Sequence, residues 1–315
     1  MRQRRLGTSG LVVSTVGLGC DNLGRPGTGT SSEEGATAVV RAAVESGITY
    51  FDVADVYGSP RGRAEELLGN AVGPVRDSVL LGTKFGMAGR GDFGAHGSRR
   101  YIRLAVEGSL RRLGTDWIDL YQLHRPDPST PLAETMGALD DLVRAGKIRY
   151  FGIGNFAGWQ LADAVWTAAR AHGVTPVTAV NHYSLLDRSA ERELLPAARR
   201  FDLGLLPYFP LANGLLTGKY AEGVTPRPGW RLAGRPDLLA NAPWRRIEAL
   251  REFAAIRGLD LTTVAIGWLA AQRPVGSVIA GATTVDQVWR NTAAADWVPT
   301  PEDCAAIDAI CQPGV

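Results

Sequence analysis

Residues 118–153 read IDLYQLHRPDPSTPLAETMGALDDLVRAGKIRYFGI, and this stretch carries the repeating unit of the fold. Ile118–Leu123 is a short apolar run of strand character. Leu132, Thr135, Met136, Leu139, Leu142 and Val143 then recur at i, i+3, i+4 and i+7, the spacing of one helical face. Gly146 stops the helix predicted over Leu132–Ala145, as a glycine after the last turn commonly does. A second apolar run follows at Tyr150–Ile153. The order is strand, helix, strand.

The same cadence extends both ways along the chain. Apolar runs at Thr15–Leu18, Tyr50–Asp52, Val79–Thr83, Val177–Val180, Leu203–Pro207 and Ser277–Ala280 bring the predicted strands to eight. Helical segments at Glu33–Ser46, Arg99–Leu113 and Trp159–Ala171 lie between them, with glycines at 47, 114 and 173 beyond their ends. Strands alternating with helices imply a parallel sheet, and eight strands suffice to close a barrel; the cadence alone also suits an open doubly wound sheet. Arg4–Leu6 and Leu11–Val13 flank GTSG and predict an N-terminal β-hairpin. A chain of 315 residues without a linker or a composition shift is expected to be one α/β domain over residues 1–315. Two long loops, near 86–98 and 213–244, each begin just after a strand and exceed the usual connection length, which marks them as functional.

Composition narrows the function. With 45% hydrophobic and 21% charged residues, the chain can bury a large core and is not disordered. A net charge of +2 with scattered arginines lacks the basic stripe that nucleic-acid binding needs. No run approaches the ~18 apolar residues of a membrane span, and glycine and serine interrupt any signal-peptide core near the N-terminus. Cys20, Cys304 and Cys311 are odd in number and lack CxxC spacing, so neither a disulfide framework nor a metal site is expected, and the default location is cytoplasmic. Of 34 basic residues only Lys84, Lys147 and Lys219 are lysines, a scarcity that GC-rich coding would produce without choosing their places.

Two glycine-rich elements imitate phosphate loops. Gly152–Ala157, GIGNFA, fits the GxGxxA pattern of a dinucleotide-binding turn, but no acidic residue ends the next strand. Gly214–Tyr220, GLLTGKY, is one residue short of a P-loop and has tyrosine where a hydroxyl must hold Mg²⁺. A lysine beside glycine there still suits a diphosphate.

Chemistry gathers at the ends of three consecutive strands. The second strand runs into FDVADVYG with Asp52 and Tyr57, the third into TKF with Lys84, and the fourth into YQLHR with His124. In a parallel barrel these ends open on one face, with neighbouring strands about 4.8 Å apart. An ammonium beside a phenol favours the phenolate and is expected to lower its pKa from ~10. Asp52 would compensate the buried Lys84, and His124 would orient a carbonyl oxygen. The set would serve as proton donor for carbonyl reduction and, in reverse, as base for alcohol oxidation.

FDVADVYG, TKFG, YQLHRPD, GIGNF, FPLANGLLTGKY and IAGATTVDQVWRN together resemble the aldo-keto reductase superfamily, of bacterial type with a short C-terminal tail, in the same order and over nearly the whole chain. The resemblance implies a (β/α)₈ TIM barrel, here with an N-terminal hairpin and extra helices, that interconverts an aldehyde or ketone and its alcohol using NAD(P)H. It makes Tyr57 the general acid/base, Asp52 and Lys84 its supporting pair and His124 the carbonyl-orienting residue. Hydride would pass from the nicotinamide C4. No metal is implied.

By the same resemblance, Gly154 and Asn155 stand where the family's Ser-Asn pair holds the nicotinamide amide, and Asn181 takes the place of a glutamine. Tyr208 would stack on the nicotinamide, with Cys20 and Asp21 near it, although Cys20 also reads as a small core residue. Phe209, Pro210, Leu211, Asn213 and Lys219 would follow the diphosphate. Gly281, Thr283, Gln287 and Asn291 would meet the adenosine end, with Arg290 or an arginine of 227–235 favouring NADP(H) over NAD(H). Tyr57, Phe85, Met87, Phe93, Tyr121 and Trp230 are offered as an apolar substrate wall, and Arg25, Arg61, Arg63, Arg99 and Arg125 as aids to an anionic or polyhydroxy substrate. Asp296–Val315 is too short to close over that pocket as longer tails do. Aldehydes, sugars, steroids and keto-sugar nucleotides all fit, and oligomeric state is not legible. Two alternatives stand beside this: a cofactor-sensing regulatory protein similar to the potassium-channel β subunits, and a Rossmann dehydrogenase built on GIGNFA.

Overall fold

A computed structural model describes residues 1–87, 95–171, 173–227 and 229–311. Strands β1 (Gln3–Arg5) and β2 (Val12–Ser14) form an antiparallel hairpin. The barrel strands are β3 (Val16–Gly19), β4 (Tyr50–Asp52), β5 (Leu80–Phe85), β6 (Ile118–Leu123), β7 (Ile148–Gly154), β8 (Thr178–His182), β9 (Gly204–Tyr208) and β10 (Val278–Gly281). All pair in parallel in chain order from β3 to β9, with β10 beside β3. The circle closes where Leu205 of β9 exchanges backbone hydrogen bonds with Pro274 and Gly276 at 3.0 and 2.9 Å. This is the barrel, and the open doubly wound alternative is excluded.

Helices α1 (Glu33–Glu45), α2 (Arg63–Val72), α3 (Arg99–Leu113), α4 (Leu132–Arg144), α5 (Gly158–Ala171) and α6 (Leu194–Arg200) follow β3 to β8 in turn. After β9 come α7 (Pro236–Ala240), α8 (Trp244–Ile256) and α9 (Leu261–Ala271), then α10 (Val285–Ala294) after β10 and α11 (Pro301–Cys311). Ser32, Ser98, Asp260 and Thr284 cap α1, α3, α9 and α10 by accepting a hydrogen bond from a first-turn N–H. Gly114 ends α3 in the left-handed conformation (φ 62°), where a side chain would be strained. Among the described residues no single helix is long and apolar enough to cross a membrane.

Alternation along each strand divides the core in two. Tyr50, Leu120, Val180, Leu206 and Ile279 fill the barrel, closed from below by Leu6, Leu11 and Val13 of the hairpin. Phe51, Leu81, Phe85, Tyr121 and Phe151 point the other way into the larger layer between sheet and helices. Most strands extend one or two residues further toward the C-terminus than their apolar runs. The ladder continues through polar residues such as Lys84, paired in register with Gln122, and His182, paired with Tyr208. Those polar ends form the mouth.

Candidate active site

Period two decides which side chains enter the mouth. Asp52 follows Tyr50, Lys84 follows Gly82 and His124 follows Gln122, so all three continue inward-facing columns. Lys84 Nζ donates to Asp52 Oδ2 at 2.6 Å and to the Val53 carbonyl at 3.0 Å, with both side chains buried. Tyr57 reaches back from the β4–α2 turn, fixed by its N–H to the Ala54 carbonyl at 3.1 Å. Lys84 Nζ lies 5.0 Å from the centre of its ring, and the His124 ring meets it edge-on at 5.8 Å. The four predicted residues line one cavity.

Their electrostatics differ from the sequence expectation in one respect. Burial pushes the Tyr57 phenol up to about 12, and the nearby Lys84 charge opposes this without overcoming it. The expected net lowering therefore does not hold, because desolvation of the phenolate outweighs one ammonium already paired with Asp52. Burial disfavours the Lys84 charge, yet Asp52 and Tyr57 more than offset that and hold its pKa above the usual lysine value. Burial, reinforced by Lys84 and Arg125, holds His124 at about 3. At neutral pH the site contains a neutral phenol, a cationic lysine and a neutral imidazole whose Nδ1 has no hydrogen-bond partner among the described residues.

A cavity of about 1040 Å³ runs from this cluster past Tyr208, Phe209 and Lys219 to Thr283, Gln287 and Arg290. The chain matches the sequence model of the aldo/keto reductase family over residues 15–312. The chain belongs to the aldo/keto reductase family. It is 37% identical to an uncharacterized oxidoreductase, YrpG, of Bacillus subtilis (strain 168), over 91% of this chain and 89% of that one. It is 33% identical to L-glyceraldehyde 3-phosphate reductase of Escherichia coli (strain K12), over 93% and 87%. It is also 35% identical to a probable voltage-gated potassium channel subunit beta of Oryza sativa subsp. japonica, over 99% and 97%. The protein is an oxidoreductase.

In this aldo/keto reductase, Cys20, Asp21, Asn155, Tyr208, Phe209, Pro210, Leu211, Asn213, Lys219, Gly281, Thr283, Gln287, Arg290 and Asn291 all line the cavity. Cys20 is nonetheless mostly core: it is 1% exposed, and burial raises its thiol well above the usual range. Tyr208 donates its hydroxyl to Asn155 Oδ1 at 2.7 Å, and the Asn155 amide donates to the His124 carbonyl at 2.8 Å, which ties the Tyr208 ring to the end of β6. His182 stacks on Tyr208 with ring centres 5.6 Å apart. Arg231 reaches Asp21 at 3.2 Å and lies over Phe209, holding the long β9–α8 connection against the β3 end. GIGNFA turns from β7 into α5 as an ordinary barrel connection.

Two expected cofactor residues lie off the cavity. Asn181 donates to the Phe156 carbonyl at 3.1 Å on the outer side of β8, whereas Val180 lines the cavity. One step along a strand reverses the face, and Thr178 and Val180 hold the inward register here. Gly154 is a packing site: a Cβ there would lie 2.8 Å from the His124 carbonyl oxygen. The proposed apolar wall is also corrected. Tyr57, Met87 and Trp230 line the cavity, but Phe85 and Tyr121 stack on each other at 4.5 Å on the outer face of the sheet. Phe93 lies outside the described residues. Of the five arginines, Arg25 and Arg125 line the cavity, while Arg61, Arg63 and Arg99 pair with Asp55, Glu66 and Asp141. Lys147 pairs with Glu107 on the surface.

Sequence reasoning missed Asn22, Val180, Ile279 and Thr284 on the cavity wall, and the buried polar residues beneath Asp52. Counting back by two from Asp52 and His124 would have found Tyr50 and Gln122. Among the described residues no group of three or more His, Cys, Asp or Glu is placed to hold a metal ion.

Proposed function

We propose that the protein is an NAD(P)H-dependent carbonyl reductase whose proton donor is Tyr57, working reversibly on an aldehyde or ketone and its alcohol. The observation that carries this is the buried Lys84–Asp52 pair set beside a neutral Tyr57 and a neutral His124 in one cavity wall. The donor set beyond them suits a dinucleotide. Lys219 and Arg25 are held below their usual pKa by burial and by nearby Arg231, so cations crowd a stretch of cavity whose carboxylate, Asp21, is already engaged by Arg231. A diphosphate relieves that crowding. Arg235 and Arg290 line the cavity as well and favour NADP(H), through its additional phosphate, over NAD(H).

When bound, the nicotinamide supplies hydride to the carbonyl carbon. The chain supplies the rest. The neutral His124 imidazole donates a hydrogen bond to the carbonyl oxygen, and the Tyr57 O–H transfers its proton to that oxygen as negative charge develops. Lys84 stabilises the phenolate left behind, and Asp52 keeps Lys84 in place. In alcohol oxidation the same phenolate accepts the hydroxyl proton. Free cysteines at 20, 304 and 311 suit a reducing, cytoplasmic setting.

A second reading rests on the plant relatives named as probable potassium channel β subunits: a cofactor-sensing regulator with little turnover. One experiment separates the two. NADPH binding by fluorescence and NADPH oxidation with a carbonyl panel are compared for wild type and Tyr57→Phe. The reductase reading expects turnover that falls by about 10²–10⁴-fold in the variant with binding retained. Tight binding and negligible turnover in both proteins favours the regulator, and equal turnover in both removes Tyr57 as the donor.

A further inference from the structure

Beneath the Lys84–Asp52 pair the barrel interior holds a polar chain in an otherwise apolar filling. The Tyr50 hydroxyl donates to Asp52 Oδ1 at 3.2 Å. Gln122 Nε2 donates to the same oxygen at 3.3 Å and reaches the Tyr50 hydroxyl at 3.4 Å. Thr178 Oγ1 donates to Gln122 Oε1 at 3.2 Å, which sets the amide's orientation and turns its NH₂ toward Asp52. Tyr50, Gln122 and Thr178 are all 0% exposed, so no water competes for these groups from outside.

Three strand glycines make room for the chain. A Cβ at Gly82 would lie 2.3 Å from the Tyr50 hydroxyl, one at Gly17 2.9 Å from the Tyr50 ring, and one at Gly152 2.0 Å from Thr178 Oγ1. The surrounding side chains, Leu120, Val180, Leu206 and Ile279, offer no donor. Among the described residues, Tyr50 and Gln122 are the side chains that donate to Asp52 Oδ1, while Oδ2 takes Lys84. A carboxylate has acceptor sites on both oxygens, and fixing one oxygen fixes the plane of the other. Donation thus converges on Asp52 from both sides: from Thr178 through Gln122 to Oδ1, and from the Lys84 ammonium beside Tyr57 to Oδ2.

We propose that Gln122 and Tyr50 are positioning residues of the reaction, clamping Asp52 Oδ1 so that Oδ2 holds Lys84 against the Tyr57 phenol. This rests on the reading of Tyr57 as proton donor. Neither residue touches substrate; each acts through Asp52. Loosening the clamp lets Asp52 rotate and carries Lys84 away from the phenol, which weakens proton transfer more than cofactor binding.

The test uses the full chain with Gln122→Met and Tyr50→Phe, each close in shape and lacking the donor, and with Tyr183→Phe as a control that removes the hydroxyl of another buried tyrosine, bonded to Glu191 away from this chain of residues. With NADPH and nitrobenzaldehyde as probes, kcat is expected to fall by about tenfold to a hundredfold in both variants, with a larger solvent isotope effect and an NADPH Kd within about twofold of wild type. A second readout needs no turnover. In protein isotope-labelled at tyrosine Cζ, the Tyr57 resonance, assigned by its loss in Tyr57→Phe, should move in Gln122→Met and Tyr50→Phe but not in Tyr183→Phe. If Gln122→Met fails to fold, Tyr50→Phe decides. An unmoved Tyr57 resonance with an unchanged isotope effect, whatever the loss of stability, would overturn the proposal. If Tyr57→Phe retains full turnover, the donor reading fails instead, and the resonance still reports whether the clamp acts on Tyr57.

Discussion

Lys84 Nζ and Asp52 Oδ2 stand 2.6 Å apart, and neither side chain is more than 4% exposed. A buried pair of this kind is held by geometry as much as by charge. Each ion gives up its hydration on folding and recovers it only from the other and from fixed neighbours. Here those neighbours are the Val53 carbonyl, Tyr50 and Gln122. The pair is therefore sensitive to the loss of one member.

Replacing Lys84 by Met leaves Asp52 charged, buried and unpaired, and should cost about 3–5 kcal/mol of folding stability. The double variant Lys84→Met/Asp52→Leu should recover most of that loss in urea unfolding while remaining without turnover. A single variant as stable as wild type would refute this dependence of the fold on the pair.

His124 makes stability depend on pH. Its folded pKa of about 3 lies below the ~6.5 of an unfolded histidine, so the unfolded chain binds a proton that the folded site refuses. Its contribution is complete above pH ~6.5 and is lost as pH falls toward 3. At pH 5 that loss should be about 2 kcal/mol. Unfolding midpoints of wild type and His124→Gln measured across this range should converge on acidification, and parallel curves would refute the assignment.

Gly152→Ala should destabilise the barrel by about 1–3 kcal/mol, because its Cβ would sit 2.0 Å from Thr178 Oγ1. Adding Thr178→Ala removes the opposing atom and should relieve most of the loss. Thermal unfolding of the two single variants and the double gives the coupling directly.

Asn181→Ala should leave the NADPH Kd within about twofold of wild type and cost about 1 kcal/mol of stability through the lost bond to the Phe156 carbonyl. A tenfold weaker Kd would mean that Asn181, and not its neighbour, faces the cofactor.

Much of this protein is legible in its sequence. The i, i+3, i+4 spacing over Leu132–Val143 matches α4, and the hairpin around GTSG exists with its strands shifted by a residue. Asp52, Tyr57, Lys84 and His124, read from polar residues at the ends of apolar strands, do line one cavity. Less visible was α9, whose buried residues from Leu261 to Ala270 present no polar face to reveal a period. Asn181 lies off the cavity although the motif points to it, because a linear motif specifies an order of residue types while the side of the sheet depends on strand register.

The sequence by itself determined the alternating strands and helices, the glycines that end several helices, and the four polar residues at the strand ends that are expected to react. All of these follow from local periodicity, backbone preference and side-chain chemistry. Only the tertiary structure decided that the sheet closes, since closure joins Leu205 to Gly276 across distant chain. It alone decided that the Tyr57 phenol is pushed up to about 12, because desolvation depends on everything packed around the group. It alone set Gln122 and Tyr50 under Asp52, through a parallel register that no single strand contains.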